Sequence, residues 1–108
     1  MLTNLLASFK DDEQLLPAIV QEVNSKEVLM LAWVNKEALE RTASTKQATF
    51  WSRSRKEIWV KGQTSGNKQE VISIKFDCDS DAFLFLVHGH GPACHTGENS
   101  CFYSEIIL

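Results

Sequence analysis

The sequence predicts a small, sheet-rich α+β domain with one short helix, and three observations lead there. Apolar and β-branched runs of strand length recur from residue 15 onward, and only one stretch pairs a helix cap with helical spacing. At 108 residues, with 44% hydrophobic and 23% charged side chains, the chain suits one modest core. A single domain is expected over residues 1–108, because no linker, repeat or low-complexity segment interrupts it. A net charge of −3 argues against general affinity for nucleic acid or acidic membranes. The opening MLTNLLASFKDDE lacks both a basic start and a long apolar run, so neither a secretory signal nor a membrane span is expected and the cytoplasm is the default location. Three cysteines cannot all pair within one chain, and clustered thiols in a reducing compartment more often bind metal or do chemistry than form disulfides.

In chain order, LLPAIVQEV (15–23) and EVLMLAWV (27–34) flank Asn24-Ser25-Lys26, a composition suited to a turn, and read as a hairpin. Asn35 caps the helix NKEALERTAST, in which Glu37 and Arg41 stand four apart. ATFWSRSR then alternates as a strand with Trp51, Arg53 and Arg55 on one face and Phe50, Ser52 and Ser54 on the other, and a second strand covers Glu57 to Lys61. Lys46, Arg53, Arg55, Lys56 and Lys61 against Glu57 give a local charge of +4, which suggests an anionic ligand or simply a solvated basic face. The loop KGQTSGNK (61–68) is not a P-loop, but its glycines, amides and hydroxyls suit either a phosphate cup or a plain hairpin turn. EVISIKF (70–76) reads as a half-buried strand and AFLFLV (82–87) as a strand buried on both faces. CFYSEIIL (101–108) reads as a last strand, and Gly91-Pro92 shape the loop that carries Cys94 and His95.

The stretch Asp77–Cys101 holds all three cysteines and all three histidines, together with three aspartates at alternate positions. Asp77, Asp79 and Asp81 would project to one side of an extended segment, where a hard cation such as magnesium relieves their repulsion, unless they form only an acidic turn. An EF-hand is rejected, because Ala82 and His88 stand where its glycine and bidentate glutamate belong. Cys78, Cys94 and Cys101 lack any C-x-x-C knuckle, and they are either inert buried thiols or three ligands of a zinc ion that keeps one open position. In a regular strand Cys78 points away from the aspartates, so either the backbone bends or a second subunit supplies ligands. The second option predicts an intertwined homodimer with metal sites across its interface.

The runs LLPAIVQEVNSKEVLMLAWVNKEAL, FWSRSRKEIWVKGQTSGN, DCDSDAFLFLV and GPACHTGENSCF closely resemble the phosphoribosyl-AMP cyclohydrolase family of histidine biosynthesis, over about residues 14 to 103. The resemblance implies magnesium at Asp77, Asp79 and Asp81 and zinc at Cys78, Cys94 and Cys101. It implies a cytoplasmic homodimer with a zinc site shared between subunits, acting on the small molecule phosphoribosyl-AMP. The reaction expected is hydrolytic opening of the C6–N1 bond of the adenine ring by a zinc-activated water, giving the formimino imidazole carboxamide ribotide. His95 is the expected proton-transfer residue. Ser52, Arg53, Ser54, Arg55, Lys61, Thr64 and Ser65 are the expected phosphate and ribose contacts. His88 and His90 fall outside the family pattern and are expected to be exposed loop residues without a role. The fused phosphoribosyl-ATP pyrophosphatase domain of some members is not expected, leaving the cyclohydrolase step alone. The alternative reading is a non-enzymatic zinc-stabilised nucleotide-binding module, and a thiol redox protein is a further rival.

Overall fold

The computed structural model describes residues 2–108, whose elements run α1 (Leu2–Leu6), β1 (Leu16–Glu22), β2 (Val28–Val34), α2 (Lys36–Thr45), β3 (Thr49–Ser52), β4 (Glu57–Val60), β5 (Gln69–Phe76) and β6 (Phe83–Gly89). The architecture is α+β. Four strands form one sheet in the order β2-β1-β6-β5, and β3 and β4 form a separate ribbon. Strand β6 pairs parallel with β1 and antiparallel with β5, so it occupies the sheet interior, as a continuous apolar run should. Among the described residues no helix is long and apolar enough to cross a membrane.

The expected hairpin is β1–β2. Its turn is closed by the Lys26 N–H donating to the Glu22 carbonyl at 3.0 Å, with Lys26 at φ +67. The Glu22 carboxylate accepts the N–H groups of Asn24 at 2.6 Å and Ser25 at 3.0 Å, which satisfies two donors that the turn exposes. The expected cap is also present: Asn35 Oδ1 accepts the Ala38 N–H at 2.8 Å at the start of α2. The Glu37–Arg41 pair lies at 2.7 Å with both side chains about half exposed, so it adds only a few tenths of a kcal/mol.

Alternation sends Ala18, Val20, Val34, Phe83, Phe85 and Val87 to one face of the sheet, where α2 supplies Ala38 and Leu39. The ribbon is fastened to this core at two points. Phe50 is fully buried, with its ring centroid 6.0 Å from Phe85 and 5.0 Å from Trp59. The buried Thr42 hydroxyl of α2 accepts the Thr49 N–H at 3.0 Å. These contacts place the β3–β4 turn and the following loop beside the sheet end that carries the thiols.

Four expectations need correction. A second helix, α1, precedes the sheet; its signal was the Leu2, Leu5 and Leu6 spacing, and Leu5 enters the core. The alternation of ATFWSRSR stops at Ser52, and residues 53–56 form a turn closed by the Lys56 N–H on the Ser52 carbonyl, so Arg53 and Arg55 do not share a strand face. Residues 101–108 form no strand: Cys101 donates one backbone bond to Leu29 at 2.7 Å, and Ile106, Ile107 and Leu108 stand almost fully exposed. β2 offers a free edge there, but the segment leaves it after this single bond, and propensity is expressed only where the chain stays on an edge. The outer side of β6 is only partly covered, since Leu84 remains half-buried.

Two tests follow from this packing. Phe50→Ala should destabilise the fold by about 3–5 kcal/mol in denaturant titrations, because the ring bridges ribbon and sheet; a loss under 1 kcal/mol would show that the ribbon is not packed as described. The Ser25 and Asn24 N–H groups, with a smaller contribution from His88, hold the Glu22 carboxyl below its usual 4.5. The folded value lies under the unfolded one, so this stabilisation is present above about pH 4.5 and fades as pH falls through the folded value. Glu22→Gln should therefore flatten the acid limb of the stability–pH curve, and an unchanged limb would refute the assignment.

Candidate metal centre and substrate cleft

The link between β5 and β6 is a tight turn rather than an extended segment. The Asp77 N–H donates to the Ala82 carbonyl at 3.1 Å, the Ser80 N–H to the Asp77 carbonyl at 3.0 Å and the Asp81 N–H to Asp77 Oδ1 at 3.0 Å, with Ser80 at φ +58. Wrapping the chain this way brings one carboxylate oxygen from each of Asp77, Asp79 and Asp81 within 4.8 Å of the others. The three side chains converge as expected, but through a bent backbone and not by strand alternation. The Asp81 N–H holds the Asp77 carboxyl below its ordinary value, while a hydrogen bond with Asp77 and the negative charges of Asp77 and Asp79 push Asp81 up. Three acids this close share protons unless a cation joins them.

The thiols divide into a pair and a single. Cys94 is buried on the loop after β6, where its N–H donates to the Glu98 carbonyl at 3.1 Å, and Thr96 Oγ1 donates to its Sγ at 3.0 Å. Thr96 holds the Cys94 thiol below its ordinary value, helped by Cys101 and by the positive charge of Lys61. Cys101 lies beside it; burial, then the neighbouring Cys94, pushes its thiol up. The segment between them is pinned to the edge of β2 by Asn99 donating to Glu27 at 2.6 Å, Ser100 Oγ donating to the Val28 carbonyl at 2.7 Å and the Cys101 N–H on Leu29. Cys78 stands exposed in the aspartate turn. Among the described residues the aspartates are the only three metal-ligating side chains that converge within 4.8 Å, so one chain does not gather its three cysteines.

A cleft of about 790 Å3 runs between the ribbon and the 61–66 loop, lined by Ser52, Ser54, Arg55, Thr64, Ser65 and His95. Five of the seven expected substrate contacts thus meet the expected proton-transfer residue. The other two stand elsewhere. Lys61 does not line the cleft; its positive charge acts on Cys94 and Cys101. The Arg53 guanidinium stacks 4.9 Å from the Trp33 ring and lines a separate hollow of about 440 Å3 with Trp51 and Asn35. The aromatic on the cleft wall is Trp59, brought there by the Phe50–Trp59 register of the ribbon, a pairing visible only once the turn length is known. Gln63 donates its N–H to the Val60 carbonyl, Gly66 and Lys68 donate theirs within the loop, and Asn67 donates to Ser65 Oγ at 3.2 Å, so what the loop offers to a ligand centres on Thr64 and Ser65. Thr96 went unremarked in the sequence, although it is the residue that touches Cys94.

His88 belongs to β6 and not to a loop; its Nδ1 lies 3.8 Å from Glu22 Oε2. His90 is exposed, with its N–H donating to the Lys68 carbonyl at 2.8 Å. Neither lines the cleft.

The family model for phosphoribosyl-AMP cyclohydrolase matches residues 30–103. A phosphoribosyl-AMP cyclohydrolase of Lactiplantibacillus plantarum is 51% identical over 100 residues, covering 93% of each chain. One of Clostridium botulinum is 58% identical over 99 residues, covering 92% of this chain and 90% of that one. A histidine biosynthesis bifunctional protein of Halalkalibacterium halodurans is 51% identical over 97 residues, which make up 90% of this chain and 46% of that protein. The aspartate turn, the thiol loop and the cleft all lie within the matched span, and the chain belongs to the phosphoribosyl-AMP cyclohydrolase family, an enzyme of the hydrolase class.

Proposed function

We propose that this protein hydrolyses phosphoribosyl-AMP in histidine biosynthesis, in the cytoplasm, at a site built by two copies of the chain. Family membership sets aside the non-enzymatic zinc module, and the observation that carries the reading is the cleft in which His95 meets Ser52, Ser54, Arg55, Thr64 and Ser65. The substrate bears two phosphorylated ribose groups, and a guanidinium beside a row of hydroxyls is suited to hold phosphate. Trp59 offers the purine an apolar wall.

The donor sets fit two different ions. Carboxylate oxygens within 4.8 Å of one another suit a hard cation, for which Asp77, Asp79 and Asp81 would be the magnesium ligands. Thiolates suit zinc, with Cys94 and Cys101 from one chain and Cys78 from the second. When bound, zinc would supply Lewis acidity to a water, and magnesium would orient phosphate and offset its charge.

The chain's own residues then perform the remaining work. His95, one residue from Cys94 and open to the cleft, takes a proton from the attacking water as the oxygen bonds to C6. The same proton is delivered to N1 as the C6–N1 bond breaks, while the second water proton leaves the new oxygen as it becomes the carbonyl and ends on the exocyclic nitrogen, which stays on C6 as the carboxamide NH2. Lys61 sets a positive charge beside the thiolates, and Thr96 fixes the Cys94 sulfur by its hydrogen bond. Arg55 and the loop hydroxyls hold the phosphoribosyl group in register with His95.

The shared site has a sharp test in subunit mixing. Cys78→Ser and Cys101→Ser homodimers should each lose stoichiometric zinc and turn over phosphoribosyl-AMP at least about 100-fold more slowly. A purified heterodimer of the two should regain about half of wild-type zinc and activity, because one of its two sites then has all three thiols. A heterodimer as inactive as its parents would place all three ligands on one chain and refute the reading. Asp79→Asn should keep zinc by metal analysis but lose magnesium-dependent turnover; a parallel loss of zinc would show that the two sites are not separate.

A further inference from the structure

Two unmatched apolar features stand on the molecule, and both adjoin residues of the shared site. The first is the segment Phe102–Leu108: Phe102 and Tyr103 are more than half exposed, Ile106 and Ile107 are 87% and 85% exposed, and Leu108 is fully so. A chain of this composition left in water is an unpaired surface. The second is the outer face of the sheet. Cross-strand partners Leu31, Ile19, Leu84 and Lys75 form a row across β2, β1, β6 and β5, in which Ile19 and Leu31 are 38% and 45% exposed. At the aspartate-turn end of this row lies a groove of about 310 Å3 lined by Ile19, Lys75, Phe76, Asp77, Ala82 and Leu84.

We propose that Phe102–Leu108 is an arm that crosses to a second copy of the chain and lies in the groove of that copy formed by Ile19, Phe76 and Leu84. The inference rests on the shared-site reading above. In that reading Cys101 of one copy meets Cys78 of the other, and Phe76 stands two residues before Cys78. The arm therefore starts within a few residues of the groove. Seven extended residues reach roughly 23 Å, enough to run along the row from Lys75 toward Ile19 and Leu31. Chemistry matches as well as reach: the arm carries three aliphatic side chains, and the groove offers Ile19, Ala82 and Leu84, with Lys75 to meet Glu105 on the side away from Asp77. The strand propensity of residues 101–108, which finds no partner within one chain, finds a surface in the second.

The test compares the wild-type protein with a variant carrying Ile106→Ser, Ile107→Ser and Leu108→Ser, at fixed zinc, by sedimentation velocity over a range of concentrations. The dimer dissociation constant should rise at least about tenfold, while zinc per chain at saturating protein stays unchanged because no ligand is touched. A constant within twofold of wild type overturns the arm and leaves the shared site standing; a wild type that is monomeric at every concentration overturns both. A second measurement needs no weakened protein. With benzoylphenylalanine at position 107, illumination of mixed isotope-labelled and unlabelled chains should give links between chains that map to the Ile19, Phe76 or Leu84 peptides. Links within one chain, or to another surface, overturn the proposal.

Discussion

Everything functional in this molecule hangs from the placement of β6 between β1 and β5. The strand is held by hydrogen bonds on both sides and sends Phe83, Phe85 and Val87 into the core at 2% exposure or less. Its first residue follows the aspartate turn and its last precedes the thiol loop, so a single buried strand fixes both ends of the ligand-bearing stretch. The distance between those ends is the length of the strand, about 20 Å for seven residues. That separation gives a physical reason why Cys78 cannot join Cys94 and Cys101 in one chain: a rigid element intervenes. Burial that stabilises the fold thus also keeps Cys78 apart from Cys94 and Cys101 in one chain, which is why the proposed zinc site calls on a second copy.

Electrostatics follow the same division. The aspartate turn concentrates negative charge at one end of β6, where Asp77 and Asp81 already compete for protons. At the other end Lys61 and the Thr96 hydroxyl favour a thiolate at Cys94, while the less favourably placed Cys101 keeps its proton more tightly. Bringing one end of each chain to the opposite end of another would set acidic and basic features against each other, which aids association as well as chemistry.

Much of this was legible in the residues because period and chemistry agreed. The Asn35 cap, the β1–β2 hairpin and the apolar β6 each announced themselves by local pattern, and packing had no reason to override them. The shape of the aspartate segment stayed open between an extended run and an acidic turn because D-x-D-x-D has the same spacing in both; only backbone hydrogen bonds from Ser80 and Asp81 to Asp77 distinguish the two. Arg53 and Arg55 looked equivalent for a related reason: alternation says which face a strand residue takes but not where the strand ends. Once the turn begins at residue 53, Arg53 falls against Trp33 and Arg55 against the cleft. Residues 101–108 were misread because propensity describes what a segment can pair with, while the free β2 edge takes up only the Cys101 N–H before the chain leaves it.

Gly91 sits at φ +122, and any side chain there would collide with the Asn67 amide, while a side chain at Gly62 would collide with the backbone of Asn67 and Lys68. The Gly62 approach closes the 61–68 loop on itself, while the Gly91–Asn67 approach and the His90 N–H bound to the Lys68 carbonyl tie it to the loop that carries Cys94 and His95. In the proposed mechanism substrate grip and proton transfer therefore sit on two loops that share these contacts, and a change at Asn67 would reach both.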